Sequence, residues 1–418
     1  MPAIIGPILF ARGSDQNQMT LSAIILAEPG RSIQLRPMGD HAIEPIELDA
    51  TLERVAWRYD FTLPTSGDAF YLVDDRHIPV VAGVSDRRRI AYVSCNGQEH
   101  ADDERPLGDR NTMWRQLADE HGKSPFSLML HGGDQLYADD VLKAHPTLKA
   151  WAESDIEEKS AYRFTEEVKA AAEQYLFRRY ANLYAQADIA KLLTQIPSIM
   201  MWDDHDIIDG WGSHALAILN SDVGKGLFEV CRRMFMLFQL GGSDDYLPPY
   251  NKQDDGAVGS LSFSVSFPDF DLIVPDLRSE RRPDRVLGTT GWAITERDLA
   301  RQPPGQRRFL MSSVPLLGPR LSWIETFIGL VPKLRRYEDD LRDQWQSRAH
   351  RDEWRRMLTL LDRTTPNDCA LTVLSGEIHL ATQAEMPMAS GGTMHQLVAS
   401  GIAHPPPPAF YARALGWL

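Results

Sequence analysis

Short apolar runs, each followed by a polar cluster, recur along the chain. Residues 126–130 and 196–201 are two such runs, and polar clusters lie at 131–137, 202–211 and 374–381. Runs of this kind are typical of strands that are buried on both faces of a layered α/β sheet. Because ligands bind at the carboxyl ends of strands in open α/β sheets, the pattern predicts that these clusters meet at one site.

A fourth run, residues 89–93, ends in the sequence Ser-Cys-Asn-Gly at 94–97. Near the other end of the chain, Glu377 and His379 alternate with Ile378, so a strand would place both side chains on one face. Buried ionisable side chains need metal ions or partners. The four strand ends therefore predict a metal-dependent hydrolase, with these candidate side chains: Cys95, Asp134, Tyr137, Asp204, His205, Glu377 and His379.

Each cluster also has a simpler interpretation. Cys95 could be a small buried apolar residue, and Asp134 could cap a helix. The acidic residues between 203 and 209 could form a solvated loop, although two tryptophans and two isoleucines within the cluster argue against that. Residues 377–379 could belong to a surface strand.

Other catalytic signatures are missing from the sequence. Residues 122–124 resemble the end of a P-loop, but Leu117 stands where that motif needs glycine. The chain has no Gly-x-Ser-x-Gly, His-Glu-x-x-His, Cys-x-x-Cys or Gly-x-Gly-x-x-Gly motif. Metal-dependent hydrolysis is the chemistry that remains.

Four motifs, in this order and spacing, resemble those of the alkaline phosphatase D (PhoD-like) family of metallophosphatases, within the calcineurin-like metallophosphoesterases. They are Ser-Cys-Asn-Gly at 94–97, Gly-Asp-Gln-Leu-Tyr at 133–137, Trp-Asp-Asp-His-Asp at 202–206 and Ser-Gly-Glu-Ile-His at 375–379. The resemblance covers the chain from about residue 88 onward. It implies an α/β (α+β) fold, a four-layer β-sandwich flanked by helices, with two metal ions bridged by a carboxylate and a solvent hydroxide.

The resemblance also assigns roles to residues. Asp134 matches the bridging carboxylate, and His205 matches the histidine that contacts the phosphate and assists the leaving group, beside Asp204. Asn96 and Arg278 are candidate substrate-binding residues, although Arg278 could equally pair with Asp276 or Glu280. The implied metal ligands are Cys95, Asp134, Tyr137, Asp204, Glu377 and His379.

The sequence departs from the wider group at several of these positions. Cys95 replaces an Asp, Gly97 a His and Asp204 an Asn, while Glu377 and His379 occupy two positions usually filled by His. The resemblance to the PhoD-like family implies that Cys95 and Tyr137 bind iron, because that family has a cysteine and a tyrosine at these positions. Thiolate, phenolate and imidazole ligands favour a transition metal, and carboxylates suit a harder ion. We expect iron with calcium, magnesium or manganese, and zinc as the alternative.

Length and spacing predict two domains in the 418 residues. Short strand-like runs over residues 1–87 and the family resemblance predict a small immunoglobulin-like β-sandwich domain there, followed by a catalytic domain over 88–418. Helical spacing appears at 164–193 and 345–361. Residues 294–320, which contain several prolines, are expected to form a loop or a short strand.

The net charge of −14 argues against a stable nucleic-acid complex, so the expected partner is a small-molecule phosphate ester. No apolar run is long enough for a membrane span. The first residues resemble no secretory signal, which favours a cytoplasmic location, or a periplasmic or secreted one if the native start has been trimmed. The oligomeric state stays open.

The expected function is metal-dependent phosphoesterase activity, on monoesters, diesters or both, by in-line attack of a metal-bound hydroxide. The alternative is a metal-stabilised, catalytically degenerate binding or scaffold protein. Gly97 and Asp204, which replace the usual His and Asn, keep that alternative open.

Overall fold

Three β-sheets with flanking helices make up the described part of the chain. The computed structural model describes residues 2–39, 41–51, 53–81, 88–98, 104–248, 250, 259–303, 307–318 and 343–406. The strands are β1 (Ile4–Ser14), β2 (Gln18–Ala27), β3 (Leu35–Pro37), β4 (Ile46–Ala50), β5 (Val55–Pro64), β6 (Ala69–Val73), β7 (Arg76–Val80), β8 (Ile90–Val93), β9 (Leu128–Gly132), β10 (Ser198–Met201), β11 (Phe263–Ser266), β12 (Asp271–Val274), β13 (Arg307–Met311), β14 (Ala370–Ser375), β15 (Thr382–Pro387) and β16 (Thr393–Val398).

The helices flank the sheets on their outer faces or join successive strands. Within the described ranges, they are α1 (Leu107–Arg110), α2 (Thr112–Lys123), α3 (Pro146–Glu153), α4 (Glu166–Tyr184), α5 (Ala187–Gln195), α6 (Leu216–Leu219), α7 (Asp222–Phe238), α8 (Thr289–Leu299) and α9 (Arg351–Thr364). None of these helices has the length and apolar character to cross a membrane.

The first sheet has the strand order β4-β5-β2-β1-β10-β9-β8 among the described residues. Strands β8, β9 and β10 are parallel neighbours, so their carboxyl ends lie along the same edge. All five residues of β9 and all four of β10 are buried, because helices and the second sheet cover both faces. The apolar runs at 126–130 and 196–201 thus form buried strands, as the sequence predicts.

The second sheet has the order β11-β12-β13-β14-β16-β15 in the part of the chain that the structure describes. Its central strands, β12, β13, β14 and β16, run parallel. β1 of the first sheet contacts β11 of the second, and apolar side chains from both sheets belong to one continuous core. The expectation of a mixed α/β fold built on packed sheets with flanking helices is confirmed.

A separate immunoglobulin-like domain over residues 1–87 is not confirmed, and the strand order gives the reason. β1 pairs parallel with β10, through Phe10 and Ser198, and antiparallel with β2. Strands from the first 64 residues therefore extend the sheet that carries β8 to β10. Only β3, β6 and β7 form their own three-stranded sheet within the described residues. The boundary at residue 87 adjoins 82–87, which lie outside those residues, and it stays a prediction.

The predicted helices form with shifted ends. The helical spacing over 164–193 corresponds to α4 and α5, which are separated because Gln186 has an extended backbone. Thr165 caps α4 by accepting a hydrogen bond from the Val168 amide. The helix predicted over 345–361 begins only at Arg351. The prediction of a loop or a short strand over 294–320 is wrong at its start, because α8 continues to Leu299. β13 is the short strand that this prediction allowed.

Candidate metal centre and active site

The four predicted strand ends meet in space. Cys95 follows β8 and Asp134 follows β9, and the Cys95 Sγ lies 3.6 Å from the Asp134 Oδ2. Tyr137 reaches across to the segment after β14, where its hydroxyl is 3.2 Å from the His379 Nε2. The backbone links the two loops as well, since the Asn96 amide donates to the Asp134 carbonyl at 2.7 Å. Residues 95, 134, 137 and 379 thus lie close together at one site.

The backbone at these positions is strained. Five described non-glycine residues have a positive φ, and four of them are the candidate ligands Cys95, Asp134, Glu377 and His379. For a residue with a Cβ atom, the left-handed region is sparsely populated and unfavourable. Such residues concentrate at functional sites, where the surrounding structure holds them in place.

A cluster of three buried carboxylates lies at the centre of the site. Oxygen atoms of Asp134, Asp203 and Asp204 all lie within 4.8 Å of one another. The close approach of the two strand ends needs Gly133, because a Cβ atom there would lie 2.7 Å from the Cβ of Asp203. Sequence reasoning noticed the acidic run but assigned a ligand role only to Asp204. The signal for Asp203 was its position directly after the strand, one residue before Asp204.

The negative charge of these carboxylates is only partly compensated, because Arg278 pairs with Asp203 and Asp204 and not with Asp134. Burial, together with Asp204 and Asp203, raises the pKa of the Asp134 carboxyl group well above its usual value. Burial also raises the pKa of Asp203 to about 6, although Arg278 acts in the opposite direction. Among the described residues, the Asp134 Oδ1 and the Asp203 Oδ2 have no hydrogen-bond partner. Two orphaned oxygens in a buried acidic cluster fit a bound cation, which would supply the missing partner.

Aromatic rings enclose one side of the site. Tyr137 stacks on His205, with ring centroids 4.3 Å apart, and His379 stacks on His404 at 3.5 Å. His404 is held there by its backbone amide, which donates to the Cys95 carbonyl at 3.1 Å. His404 could not be selected from sequence pattern, because it comes after the last strand in a segment rich in proline.

His205 is held by a carboxylate that the sequence analysis missed. Its Nδ1 lies 2.9 Å from the Asp139 Oδ2, and the other Asp139 oxygen accepts from the Asp209 amide at 2.7 Å. Burial alone would lower the pKa of His205, but the carboxylates of Asp139, Asp204 and Asp134 together hold it well above its usual value. Asp139 occupies the Nδ1 of His205, so the Nε2 is the ring nitrogen directed away from Asp139.

Replacing Asp139 with Asn should lower kcat about tenfold to a hundredfold, because His205 would lose the group that orients it and keeps it protonated. The raised pKa of His205 keeps the donor charged until the pH exceeds that value. Removing Asp139 lowers this pKa, so the alkaline limb of the kcat profile should move to lower pH. Asp140→Asn is the matched control, since Asp140 pairs with Lys143 at 2.8 Å. An unshifted alkaline limb in Asp139→Asn would contradict this assignment.

Asp206 has a structural role. Its Oδ1 accepts from the Leu136 amide at 3.0 Å and from the Gln239 side chain at 2.7 Å, while its Oδ2 accepts from the Asp203 amide at 2.9 Å. These bonds tie the loop after β9 to the loop after β10. The Asp206 carboxylate thus holds Asp203 and the loop after β9 in position.

Arg278 is fully buried, and its five donor hydrogens all have acceptors. It donates to Asp203, to the Trp211 carbonyl at 3.0 Å, to Asp204 at 3.4 Å, and to both oxygens of Asp343 at 2.9 and 2.6 Å. The sequence prediction of a phosphate clamp, and its alternative of an ion pair with Asp276 or Glu280, do not describe this arrangement. Arg278 instead holds the acidic cluster in place, and Asp343 is a partner that the sequence analysis missed.

Glu377 and His379 reach the site from a bend, which corrects the prediction of a shared strand face. β14 ends at Ser375, and both residues have left-handed backbone angles beyond it. The Gln344 side chain donates to the two oxygens of Glu377 at 3.0 and 2.9 Å. The bend, and not a regular alternation, directs the two side chains.

Asn96 lines a cavity of about 500 Å³ that borders the site through Tyr137. Its side-chain oxygen accepts from the Trp114 indole at 2.8 Å, and this bond fixes its orientation. Leu136 and Tyr137 line the same cavity. Asn96 is thus buried at the edge of this cavity, and its role in substrate binding stays a prediction.

Gly97→Ala should reduce both stability and activity. A Cβ atom at residue 97 would lie 2.7 Å from the Cδ2 of Tyr137, so the ring would have to move from its stacked position on His205. Overpacking of this kind costs about 1–3 kcal/mol of the free energy of unfolding. Gly108→Ala is the control, because nothing lies within 4 Å of its added methyl group. Unchanged unfolding and kcat in Gly97→Ala would show that the ring can adjust without loss.

The chain is similar to known proteins both in sequence and in fold. A family model described as PhoD related phosphatase matches residues 72–337. An uncharacterised protein of Saccharomyces cerevisiae, YGR266W, is 27% identical over 391 residues, which cover 78% of this chain and 55% of that protein. The chain thus spans about half the length of this curated relative. A solved structure of PhoD is similar in fold, with a TM-score of 0.59 at 12% identity over 94% of this chain and 76% of that one.

Proposed function

Because the chain belongs to the family of PhoD related phosphatases, we propose that it is a metal-dependent phosphoesterase. The observation that carries the proposal is the buried cluster of Asp134, Asp203 and Asp204, in which two carboxylate oxygens lack a partner among the described residues. A cluster of this kind, with a histidine held by a carboxylate nearby and a cavity that borders Tyr137, has the components that ester hydrolysis needs.

The residues present fit two kinds of cation. Cys95, Tyr137 and His379 offer a thiolate, a phenolate and an imidazole, which suit iron or zinc, whereas the carboxylates suit calcium, magnesium or manganese. When bound, such ions polarise phosphoryl oxygens and lower the pKa of water to about 7. The residues that would hold them are Cys95, Asp134, Tyr137, Asp203, Asp204, Glu377 and His379.

His205 supplies the proton for the leaving group. Asp139 occupies its Nδ1, so the Nε2, which lies 3.9 Å from the Asp209 Oδ1, is the nitrogen left to act on substrate. A protonated Nε2 can donate to the leaving oxygen as negative charge builds on it. Tyr137 keeps the imidazole plane in place by stacking on it. Arg278 and Asp206 act indirectly, since they position the acidic residues and do not contact substrate.

The alternative of a catalytically degenerate binding protein accounts less well for His205. A site that only needs a structural metal has closed coordination and no use for a neighbouring acid. Here a buried ion pair, His205 with Asp139, is maintained beside the acidic cluster, and Asp139 keeps its pKa below the usual value despite burial, because His205 lies next to it. We therefore favour turnover.

The test is hydrolysis of phenyl phosphate and of methyl phenyl phosphate, a monoester and a diester with the same leaving group. Protein stripped of metal should be inactive, and reloading with iron plus calcium, or with zinc, should restore turnover. His205→Asn should retain bound metal and lose about 10²–10⁴-fold in kcat. His395→Asn, which alters a partly exposed histidine paired with Glu385, is the control. Folded, metal-loaded protein that hydrolyses neither ester would favour the binding protein.

A further inference from the structure

A groove between α1 and α4 borders the candidate metal centre through Tyr137. Tyr137 and Asn96 form its inner end, where the reacting phosphate is expected. Arg110, at the end of α1, lines one wall. The opposite wall is a face of α4 that includes Arg178 and Arg179. We call this space the arginine groove, defined by Asn96, Tyr137, Arg110, Gln174, Arg178 and Arg179.

Helical geometry produces the polar wall of the arginine groove. Ala171, Gln174, Arg178 and Asn182 are spaced by three or four residues along α4, so they lie on one side of the helix. The buried residues Ala172, Leu176 and Tyr180 lie on another side, against the core. Gln174, Arg178 and Asn182 on this face are exposed, so their polar side chains are not needed for packing.

The described lining of the groove is basic, whereas the molecule as a whole is acidic. Three arginines line it, and none of its described lining residues is an aspartate or glutamate, although the chain carries a net charge of −14. Arg178 also pairs with Glu53 outside the lining, but both side chains are exposed, and exposed ion pairs are weak. An incoming anion can therefore compete for this guanidinium. Arginine suits phosphate because its planar fork can donate two parallel hydrogen bonds.

The groove is also larger than a single phosphate needs. A volume of about 500 Å³ falls within the range of sites that enclose a whole small ligand. With the scissile phosphate at the inner end, the remaining space must receive the leaving group. Resting on the proposed function, we infer that the arginine groove binds a second phosphate on the leaving group, so the preferred substrates are small esters that carry phosphates at two positions.

The test compares 1,3-phenylene bisphosphate with phenyl phosphate, in metal-loaded protein at low ionic strength. After division by two for its two equivalent esters, the bisphosphate should have a kcat/KM about tenfold higher, the effect of one or two charge-assisted hydrogen bonds. Arg110→Gln and Arg179→Gln should each reduce this ratio, and together abolish it, with kcat/KM for phenyl phosphate within about twofold of the original. Arg355→Gln, on exposed α9 and outside the groove, should keep the full ratio.

Calorimetry separates failure of this inference from failure of the proposed function. If neither ester is hydrolysed, tighter binding of the bisphosphate than of phenyl phosphate, lost in Arg110→Gln or Arg179→Gln, would still support the groove as an anion site. Equal kcat/KM and equal affinity for the two compounds would overturn the inference, whatever the activity. The same applies to a preference that survives in the double variant. Arg110 and Arg179 lie on separate helices, so one single variant can decide if the other does not fold.

Discussion

Asp134→Asn is expected to abolish turnover while making the metal-free protein more stable. The carboxylate is buried at the centre of the acidic cluster, and one of its oxygens has no partner among the described residues. Losing a ligand that supplies several kcal/mol of transition-state stabilisation should lower kcat at least about 10³-fold. Without metal, however, a neutral amide avoids burying that charge, and the free energy of unfolding should rise by about 1–3 kcal/mol.

The free energy of unfolding of the metal-free protein should also depend on pH, because the pKa of Asp134 changes on folding. The folded-state pKa of Asp134 is raised above its unfolded value, so the folded protein binds the proton more tightly. The metal-free protein should therefore be most stable below the unfolded pKa and lose stability as the pH rises toward the folded one. In Asp134→Asn this loss should be smaller. The measurement is urea unfolding of chelator-treated protein across the acid to neutral range.

Asp206→Asn serves as the contrasting control. Asp206 accepts hydrogen bonds from two backbone amides and Gln239, so an amide nitrogen in its place would face donors. This change should lower the free energy of unfolding by about 1–3 kcal/mol. If both variants are destabilised equally without metal, the carboxylate of Asp134 is not the uncompensated charge that its surroundings indicate.

Arg278→Met is expected to produce the largest loss of stability. The substitution removes five donors and leaves Asp203, Asp204 and Asp343 facing one another in a buried space. Removing one partner from a buried ion pair costs about 3–5 kcal/mol, because the remaining charge is uncompensated. Urea unfolding at neutral pH should show this loss. Arg278→Lys keeps the charge but not the fork of donors, so an intermediate loss is expected.

A double variant tests whether the unpaired charge is the cause. Arg278 holds the pKa of Asp343 below its usual value despite burial, with help from Arg281. Arg278→Met combined with Asp343→Leu should therefore be less destabilised than the sum of the two single variants. Strict additivity would mean that packing, and not charge compensation, accounts for the effect of Arg278→Met.

The sequence predicts those parts of the site that depend on local pattern. Cys95 and Asp134 come directly after buried strands, and both the apolar run and the ligand-type residue are visible within a few positions. Asp139 and Asp343 could not be found in this way, because their partners His205 and Arg278 lie 66 and 65 residues away. Glu377 misled the prediction, since alternation with apolar residues has the same appearance in a strand and in a bend.

The fold, too, could be predicted from the sequence only where it depends on local pattern. Most of the amino-terminal strands could be predicted from their composition, but their sheet could not, since periodicity carries no information about pairing partners. The parallel pairing of β1 with β10 brings together Phe10 and Ser198, which are far apart in the sequence. A family resemblance that began near residue 88 suggested a separate domain before it, which the strand order does not confirm.

The central position of β1 also constrains the order of folding during synthesis. β1, β2, β5 and β4 emerge first and can pair with one another, but the other edge of β1 stays open until β10 has left the ribosome. An open apolar edge of this kind is a template for pairing with other chains. Conversely, a fragment that began at residue 88 would leave β10 as an unprotected edge. The first sheet is therefore completed only when the two distant segments meet, and each segment alone leaves a strand edge unpaired.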